Sequence, residues 1–367
     1  MTNKINKIVI ATGGTGGHIF PAYSLAKHFI EKDIIVELIS DKRGLKYLEG
    51  CEGVKITTIE SSTIFNKNIF KTFASIITIL YSIYKSFFIL LKNRPNLVFG
   101  MGGYSSFPIC IVAKMLRIPF IIYESNLHIG KVNRFLLPFT MKAFVSNKYL
   151  EGIPKKYKNK ICKIGNIIRK EILNFEKNKH ENYNKDEKIK ILILGGSQAA
   201  KVFGEKLPKI FKECHDSKIP IKIYQQCLPD QVDHLNSFYR KSNLQFEVFN
   251  FSENILDYFS KINLAITRSG ASILAELINV KIPFISIPLP SSTDNHQLKN
   301  AIYYEKNQFS YLVEEKCLGD KLFKLIKLIH KDRSLLDQMK SKQKQYSDKS
   351  VYNNIDIEMG KIINEEY

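Results

Sequence analysis

The sequence holds six cysteines, Cys51, Cys110, Cys162, Cys214, Cys227 and Cys317, and no two of them form a Cys-x-x-Cys pair. That spacing argues against a zinc knuckle or a dithiol redox motif. Thiols scattered over 367 residues fit a reducing compartment better than a disulfide framework. Acidic residues are also scarce: 35 Asp and Glu stand against 55 Lys and Arg, a formal charge of +20. An excess of that sign favours polyanions such as anionic lipid, phosphorylated substrates or nucleic acid. The competing explanation is compositional, since Lys, Asn and Ile are abundant throughout. Met1–Gly17 lacks the apolar run of a secretory signal. No short-period repeat is found, and no Asp-x-Asp follows a predicted strand. A metal-bound diphosphate would want such oxygen ligands, so metal-free chemistry is expected.

What is present reads as two α/β domains. The length suits two, and an apolar fraction of 44% can fill two cores. Short runs rich in Ile and Val occur at Lys7–Thr12, Ile34–Ser40, Val54–Ile59, Leu97–Gly100, Phe120–Glu124 and Ala143–Ser146. Their lack of alternation predicts parallel strands buried on both faces, and the helical stretches between them predict a doubly wound sheet. The polar stretch Asn174–Lys190 reads as a linker or loop. After it the pattern restarts at Ile191–Gly196 and continues at Ile221–Gln226, Phe246–Phe251, Leu264–Arg268 and Phe284–Leu289. Helical, Lys-rich sequence from Asp320 closes the chain. In such sheets ligands bind beyond the carboxyl ends of the strands, and two facing halves would make a cleft there.

The motifs fall at those ends. Gly13, Gly14, Gly16 and Gly17 follow the first strand and open a helix, with Thr15 between them and His18 after them. Closely spaced glycines let a ligand approach the backbone, and a helix N-terminus favours negative charge. Ile19 breaks the dinucleotide G-x-G-x-x-G spacing, and no Gly-Lys-Ser/Thr follows as in a P-loop. A helix N-terminus disfavours imidazolium, so His18 reads as a neutral proton acceptor or as a capping histidine. Gly100–Ser106 is a second strand-to-glycine loop, and Glu124 and Asn126 follow the next strand. In the second half, Gly195-Gly196-Ser197-Gln198 again ends a strand and opens a helix. Arg268, Ser269 and Gly270 do the same, with Glu276 further along that helix. Arg268 suits a phosphate, and two carboxylate oxygens on Glu276 suit the two hydroxyls of a ribose, although a surface ion pair would explain them too. Asp294, Asn295, His296 and Gln297 offer the paired donors and acceptors that sugar hydroxyls need, or a plain helix N-cap.

Taken in order, GGTGGH, GMGGYSS, Glu124-x-Asn126, GGSQ, RSGA with Glu276, and DNHQ resemble the MurG family. Those bacterial transferases make lipid II by moving N-acetylglucosamine from UDP-N-acetylglucosamine to the lipid-linked acceptor lipid I. The resemblance runs from Gly13 to Ala301. It implies a GT-B fold: two Rossmann-like, doubly wound α/β domains facing across a cleft, with no metal or other cofactor. The implied domains are 1–165 for acceptor and membrane, and 166–345 for the UDP-sugar, with a terminal helix from about 346 packing back on the first. Carried over, His18 and Glu124 are catalytic candidates; Thr15, Gly16, Gly17 and Asn126 lie near the acceptor or sugar. Arg169, Ser197, Gln198, Arg268, Ser269 and Gly270 would face the diphosphate. Phe251 and Ser252 would meet the uracil, Glu276 the ribose, and His296 and Gln297 the N-acetylglucosamine. Four positions depart from the family pattern: Tyr123 and Ser125 replace His and Gln, Ile167 replaces Pro, and Ala199 replaces Gly.

The expected reaction is an inverting displacement, with His18 as base and Glu124 as the alternative. Competing readings are a lipid glycosyltransferase with another donor or acceptor, a non-catalytic membrane scaffold, and a basic nucleic-acid binder. The last lacks any recognisable reading module, so no nucleic-acid partner is expected. Phe70–Leu91 is expected to dock on anionic lipid without crossing the bilayer. Lys71, Ser75, Thr78, Ser82 and Ser86 line one helical face, and the remainder is bulky, including Phe73, Leu80, Tyr84, Phe87 and Phe88. The implied location is peripheral, at the cytoplasmic face of the inner membrane, with cell-wall synthesis or divisome proteins as further partners.

Overall fold

The structure, a computed structural model, describes residues 5–48, 53–62, 69–176, 187–250, 252 and 254–364; for 69–71, 197–200 and 363–364 it describes the backbone alone. Short apolar runs, too short for amphipathic helices, form strands, and the central strands of each sheet are buried on both faces. The first sheet contains β1 (Lys7–Ala11), β2 (Ile35–Ser40), β3 (Lys55–Thr58), β4 (Leu97–Gly100), β5 (Phe120–Glu124), β6 (Lys142–Val145) and β7 (Ile161–Lys163). Its order is β3-β2-β1-β4-β5-β6-β7, and all its pairings are parallel. The second contains β8 (Ile189–Leu194), β9 (Ile221–Gln226), β10 (Gln245–Phe249), β11 (Leu264–Thr267), β12 (Phe284–Ser286) and β13 (Ser310–Leu312). Its order is β10-β9-β8-β11-β12-β13, again parallel.

Each sheet reverses its winding once, between β1 and β4 and between β8 and β11. The loops leaving adjacent strands at such a point run to opposite faces, which opens a crevice beyond their carboxyl ends. Register brings Ala11 beside Gly100 and Leu194 beside Thr267. The glycine loops of both halves therefore emerge at the two crevices.

The chain divides into two compact units, Met1–Arg169 with Asp348–Tyr367, and Lys170–Ser347. The first core gathers Val9, Ile39, Val98, Ile109, Phe120 and Leu136; the second gathers Ile191, Phe203, Phe211, Ile223, Ile266 and Ile326. The terminal helix Val351–Asn364 belongs to the first unit. Its Asp356 accepts from His28 Nε2 at 2.9 Å and from Lys32 at 2.6 Å, and Tyr352 Oη donates to Ile168 O at 2.7 Å.

The helix Ile69–Asn93 faces the protein with its polar stripe. Ser75, Ser82 and Ser86 are buried, while Phe73, Leu80, Tyr84 and Phe88 are more than half exposed. Small hydroxyls can pack inward here because the helix satisfies them. Ser82 Oγ donates to Thr78 O or Glu60 O, and Ser86 Oγ to Ser82 O. Phe87 differs from the expected outward set, since it packs against the first core. By length and composition the helix is apolar enough to cross a membrane. It links β3 to β4, however, and both lie in one sheet.

Candidate active site

In the first unit, two glycine loops close around one imidazole. A Cβ on Gly102 would lie 3.1 Å from His18 Cε1, and one on Gly103 would lie 3.5 Å from His18 Cδ2. Both glycines have positive φ, +84° and +76°, so the loop needs glycine for shape as well as for space. His18 sits in the first turn of the helix Gly16–Ile30, with Thr15 as N-cap. Its Nδ1 lies 2.9 Å from Met101 O. A carbonyl only accepts, so Nδ1 carries the proton, and the neutral ring has its basic lone pair on Nε2. Thr12 Oγ1 donates to His18 O at 3.0 Å and fixes the loop from within.

Asp41, which the sequence reading missed, holds the same loop from the end of β2. Its Oδ1 accepts from Gly14 N and Gly44 N, each at 2.9 Å. Its Oδ2 accepts from Ser61 at 2.6 Å and from Arg43 Nε and Nη2. Burial alone would raise the Asp41 pKa, but the hydrogen bonds from Gly14 N, Ser61, Arg43 and Gly44 N outweigh it and hold the carboxyl below the usual range. The available signal was an Asp at a strand end opening a short helix.

Glu124 ends β5 and is buried. Oε1 accepts from Asn126 N at 3.1 Å and Asn126 Nδ2 at 3.0 Å; Oε2 accepts from Gly130 N and Asn133 Nδ2, each at 2.9 Å. With both oxygens engaged, Glu124 organises the 125–133 loop, and Asn126 serves it as a donor. Asn133, buried, had no motif to announce it. Arg169 lies over the Phe20 ring at 5.8 Å, on the helix that carries His18.

In the second unit, Gly195 and Gly196 open the helix Gly196–Asp216, and Gly196 has φ +66°. The side chains of Ser197 and Gln198 and all of Phe251 lie outside the described residues, whereas Ser252 is half-buried. Arg268 is held by partners within the unit. It is 4% exposed, its Nη2 pairs with Glu315 at 2.5 Å, and its Nη1 donates to Ile287 O or Pro288 O. The guanidinium also stacks 4.7 Å over Phe203. Its charge is thus committed to the ends of β11 and β12 and to Glu315 beyond β13.

Beside it, Ser269 Oγ is buried with no hydrogen-bond partner among the described residues. Gly270 caps the helix Ala271–Asn279, in which Glu276 is buried. Gln297 Oε1 accepts from Ser269 N at 3.2 Å and Leu289 N at 3.0 Å, tying two loops together. Asp294 and Asn295, both near φ +50°, bend the chain into the helix His296–Lys306, and His296 Nδ1 donates to Thr293 O at 2.8 Å.

Residues 8–145 match the Glycosyltransferase family 28 N-terminal domain, and residues 190–355 match the Glycosyltransferase family 28 C-terminal domain. A UDP-N-acetylglucosamine–N-acetylmuramyl-(pentapeptide) pyrophosphoryl-undecaprenol N-acetylglucosamine transferase of Pelagibacter ubique is 35% identical over 98% of this chain and 99% of its own. The protein of that name from Rickettsia bellii is 34% identical over 88% of this chain and 91% of its own. The chain belongs to this transferase family.

The crystal structure of Acinetobacter baumannii MurG superposes with a TM-score of 0.76 at 22% identity, covering 98% of this chain and all of that one. The fold is accordingly GT-B, two Rossmann-like parallel-sheet domains. Against the MurG family pattern, two of the four departures touch: Ile167 N–H donates to Tyr123 Oη at 2.9 Å. Ala199 falls among residues whose side chains are outside the described set.

Proposed function

We propose that this chain is an inverting glycosyltransferase that carries N-acetylglucosamine from UDP-N-acetylglucosamine to undecaprenyl-pyrophosphoryl-N-acetylmuramoyl-pentapeptide, lipid I, and so forms lipid II for peptidoglycan. Its membership of the transferase family along nearly the whole chain supports the reaction. The observation that carries the chemistry is His18, fixed by Met101 O in one tautomer at the β1/β4 crevice. His18 Nε2 takes the proton of the acceptor sugar hydroxyl. The oxygen forms its bond to the anomeric carbon as the bond from that carbon to the UDP oxygen breaks, and UDP leaves with the electron pair.

In the first unit, Thr15, Gly16, Gly17 and Asn126 contact the acceptor, Asp41 holds the glycine loop, Glu124 holds the loop of Asn126, and Arg169 supplies a diphosphate-facing cation. In the second, amides at Gly196, Ser197, Ser269 and Gly270 face the diphosphate at helix N-termini. Ser252 lines the nucleotide, Glu276 takes the ribose, and His296 and Gln297 take the sugar. Arg268 shapes this half through Glu315.

The polyprenyl acceptor requires a membrane, and the outward apolar stripe of Ile69–Asn93 supplies the contact as a peripheral protein. On this reading the contact lies at the cytoplasmic face of the inner membrane. The test is transfer of radiolabel from UDP-N-acetylglucosamine to a lipid I analogue, with UDP-glucose and UDP-galactose as controls. Equal transfer from all three donors, or none from the first, rejects the reading.

A further inference from the structure

Tyr123 stands one residue before Glu124, and its side chain is 2% exposed. Its main-chain oxygen accepts from Asn133 Nδ2 at 2.9 Å, the same group that donates to Glu124 Oε2. Its phenol oxygen accepts from Ile167 N at 2.9 Å, forty-four residues along the chain. Ile167 is buried as well. Burial pushes the Tyr123 phenol above its usual range, so the acceptor stays a neutral hydroxyl.

Ile167 lies in a segment pinned on both sides. Asn166 N and Nδ2 donate to Asp348, Tyr352 Oη donates to Ile168 O, and Asn354 Nδ2 donates to Ile164 O. Arg169, against Phe20, comes next. A buried backbone N–H needs a partner. Proline at this position would have no N–H; isoleucine brings one, and Tyr123 Oη receives it. The two departures at Tyr123 and Ile167 thus form one hydrogen-bonded unit.

We propose that Tyr123 is a positioning residue for the transfer reaction. Through Ile167 N it fixes the Asn166–Arg169 segment to the end of β5, and so sets Arg169 relative to Glu124 and the His18 helix. The inference rests on the transferase reading above.

The experiment uses the full chain as Tyr123→Phe, Ile167→Pro and the double variant. It measures amide exchange across residues 164–169, thermal stability, and kcat and KM for both substrates. Tyr123→Phe strands the Ile167 N–H, so exchange there should speed up and kcat should fall about tenfold at a temperature where the protein is folded. The double variant has neither donor nor acceptor, and the fixed φ of proline restrains the segment in place of the bond, so its kcat should return to within about threefold of the parent. Unchanged exchange in Tyr123→Phe overturns the proposal. So do faster exchange and a lower Tm with unchanged kcat and KM, which would make the bond structural only. If the double variant fails to fold, exchange and kcat of Tyr123→Phe decide alone. A parent chain without transfer activity rejects the transferase reading instead, and the exchange result still reports the bond.

Discussion

His18 Nδ1 donates to Met101 O at 2.9 Å, a bond between the first turn of a helix and the end of a neighbouring strand. It selects the tautomer whose Nε2 accepts a proton. His18→Ala is therefore expected to lower kcat by roughly 10² to 10⁴ while changing donor KM little.

Glu124 should behave differently, because its carboxylate accepts from Asn126, Gly130 and Asn133. Glu124→Gln turns one acceptor oxygen into a donor facing other donors, a loss on the order of 1–3 kcal/mol. Thermal unfolding of the two variants checks this. Glu124→Gln should lose more stability than His18→Ala, and the opposite order would show that the Glu124 hydrogen bonds do not hold the loop; near-normal turnover in His18→Ala would move the role of base to Glu124.

Asp41 makes stability depend on pH. Its folded pKa is held below the unfolded value of about 3.9, so its contribution is fully present above that value and is lost as pH falls through the folded pKa. The stability gap between the parent chain and Asp41→Ala should be widest near neutrality and shrink as pH drops below about 4. Denaturant melts at several pH values measure it. A gap that grows on acidification would show that Asp41 is not ionised in the folded state.

Arg268 and Glu315 should act as a pair. Removing one partner of a mostly buried ion pair leaves an uncompensated charge and costs on the order of 3–5 kcal/mol. Arg268→Met and Glu315→Met should each weaken UDP binding and lower Tm, and the double variant should recover part of both losses. Calorimetry of UDP binding provides the check. If Glu315→Met binds UDP normally while Arg268→Met does not, Arg268 contacts the diphosphate itself.

Diphosphate charge in the second unit is expected to meet helix amides at Gly196 and Gly270. Transfer activity in EDTA should therefore equal activity in magnesium. Loss on chelation, with recovery on adding magnesium or manganese, would contradict it.

Much of the fold could be read from sequence because parallel strands are short runs rich in Ile, Val, Leu and Phe without helical periodicity. Leu97–Gly100, Phe120–Glu124 and Ile221–Gln226 coincide with β4, β5 and β9. β7 and β13 could not be read, being three residues long and not fully buried. The linker reading reached too far, since Ile189 and Lys190 already belong to β8. At the site, glycine spacing located the loops and His18. Asp41 and Asn133 escaped because their partners are backbone amides and a carboxylate brought together only by folding. The pairing of Arg268 escaped for a related reason: a motif shows an arginine at a strand end, whereas its partner Glu315 lies 47 residues away.

The helix Ile69–Asn93 carries the last prediction. Phe73, Ile77, Leu80, Tyr84 and Phe88 recur three or four apart on its outer face, and each is more than half exposed. A contiguous apolar stripe of this kind marks an interaction surface. The cations around it, Lys92 and Arg94 among the described residues, favour a surface of negative charge, at about 1 kcal/mol each near an anionic bilayer, whereas Lys85 pairs with Glu60 at 3.6 Å. Crossing the bilayer is excluded by the sheet, since β3 before the helix and β4 after it share one hydrogen-bonded array with β2 and β1 between them. Tyr84 and Phe88 form an edge-to-face pair at 4.8 Å on the exposed side, so they can be changed without opening the core. Phe87, which packs inward, cannot. Tyr84→Ser with Phe88→Ser should therefore leave UDP binding intact and reduce sedimentation with vesicles containing phosphatidylglycerol or cardiolipin. Binding of the parent chain should weaken as salt rises and be slight on neutral vesicles. Retention on membranes through both high salt and alkaline carbonate, with release only by detergent, would establish a true span and defeat the prediction.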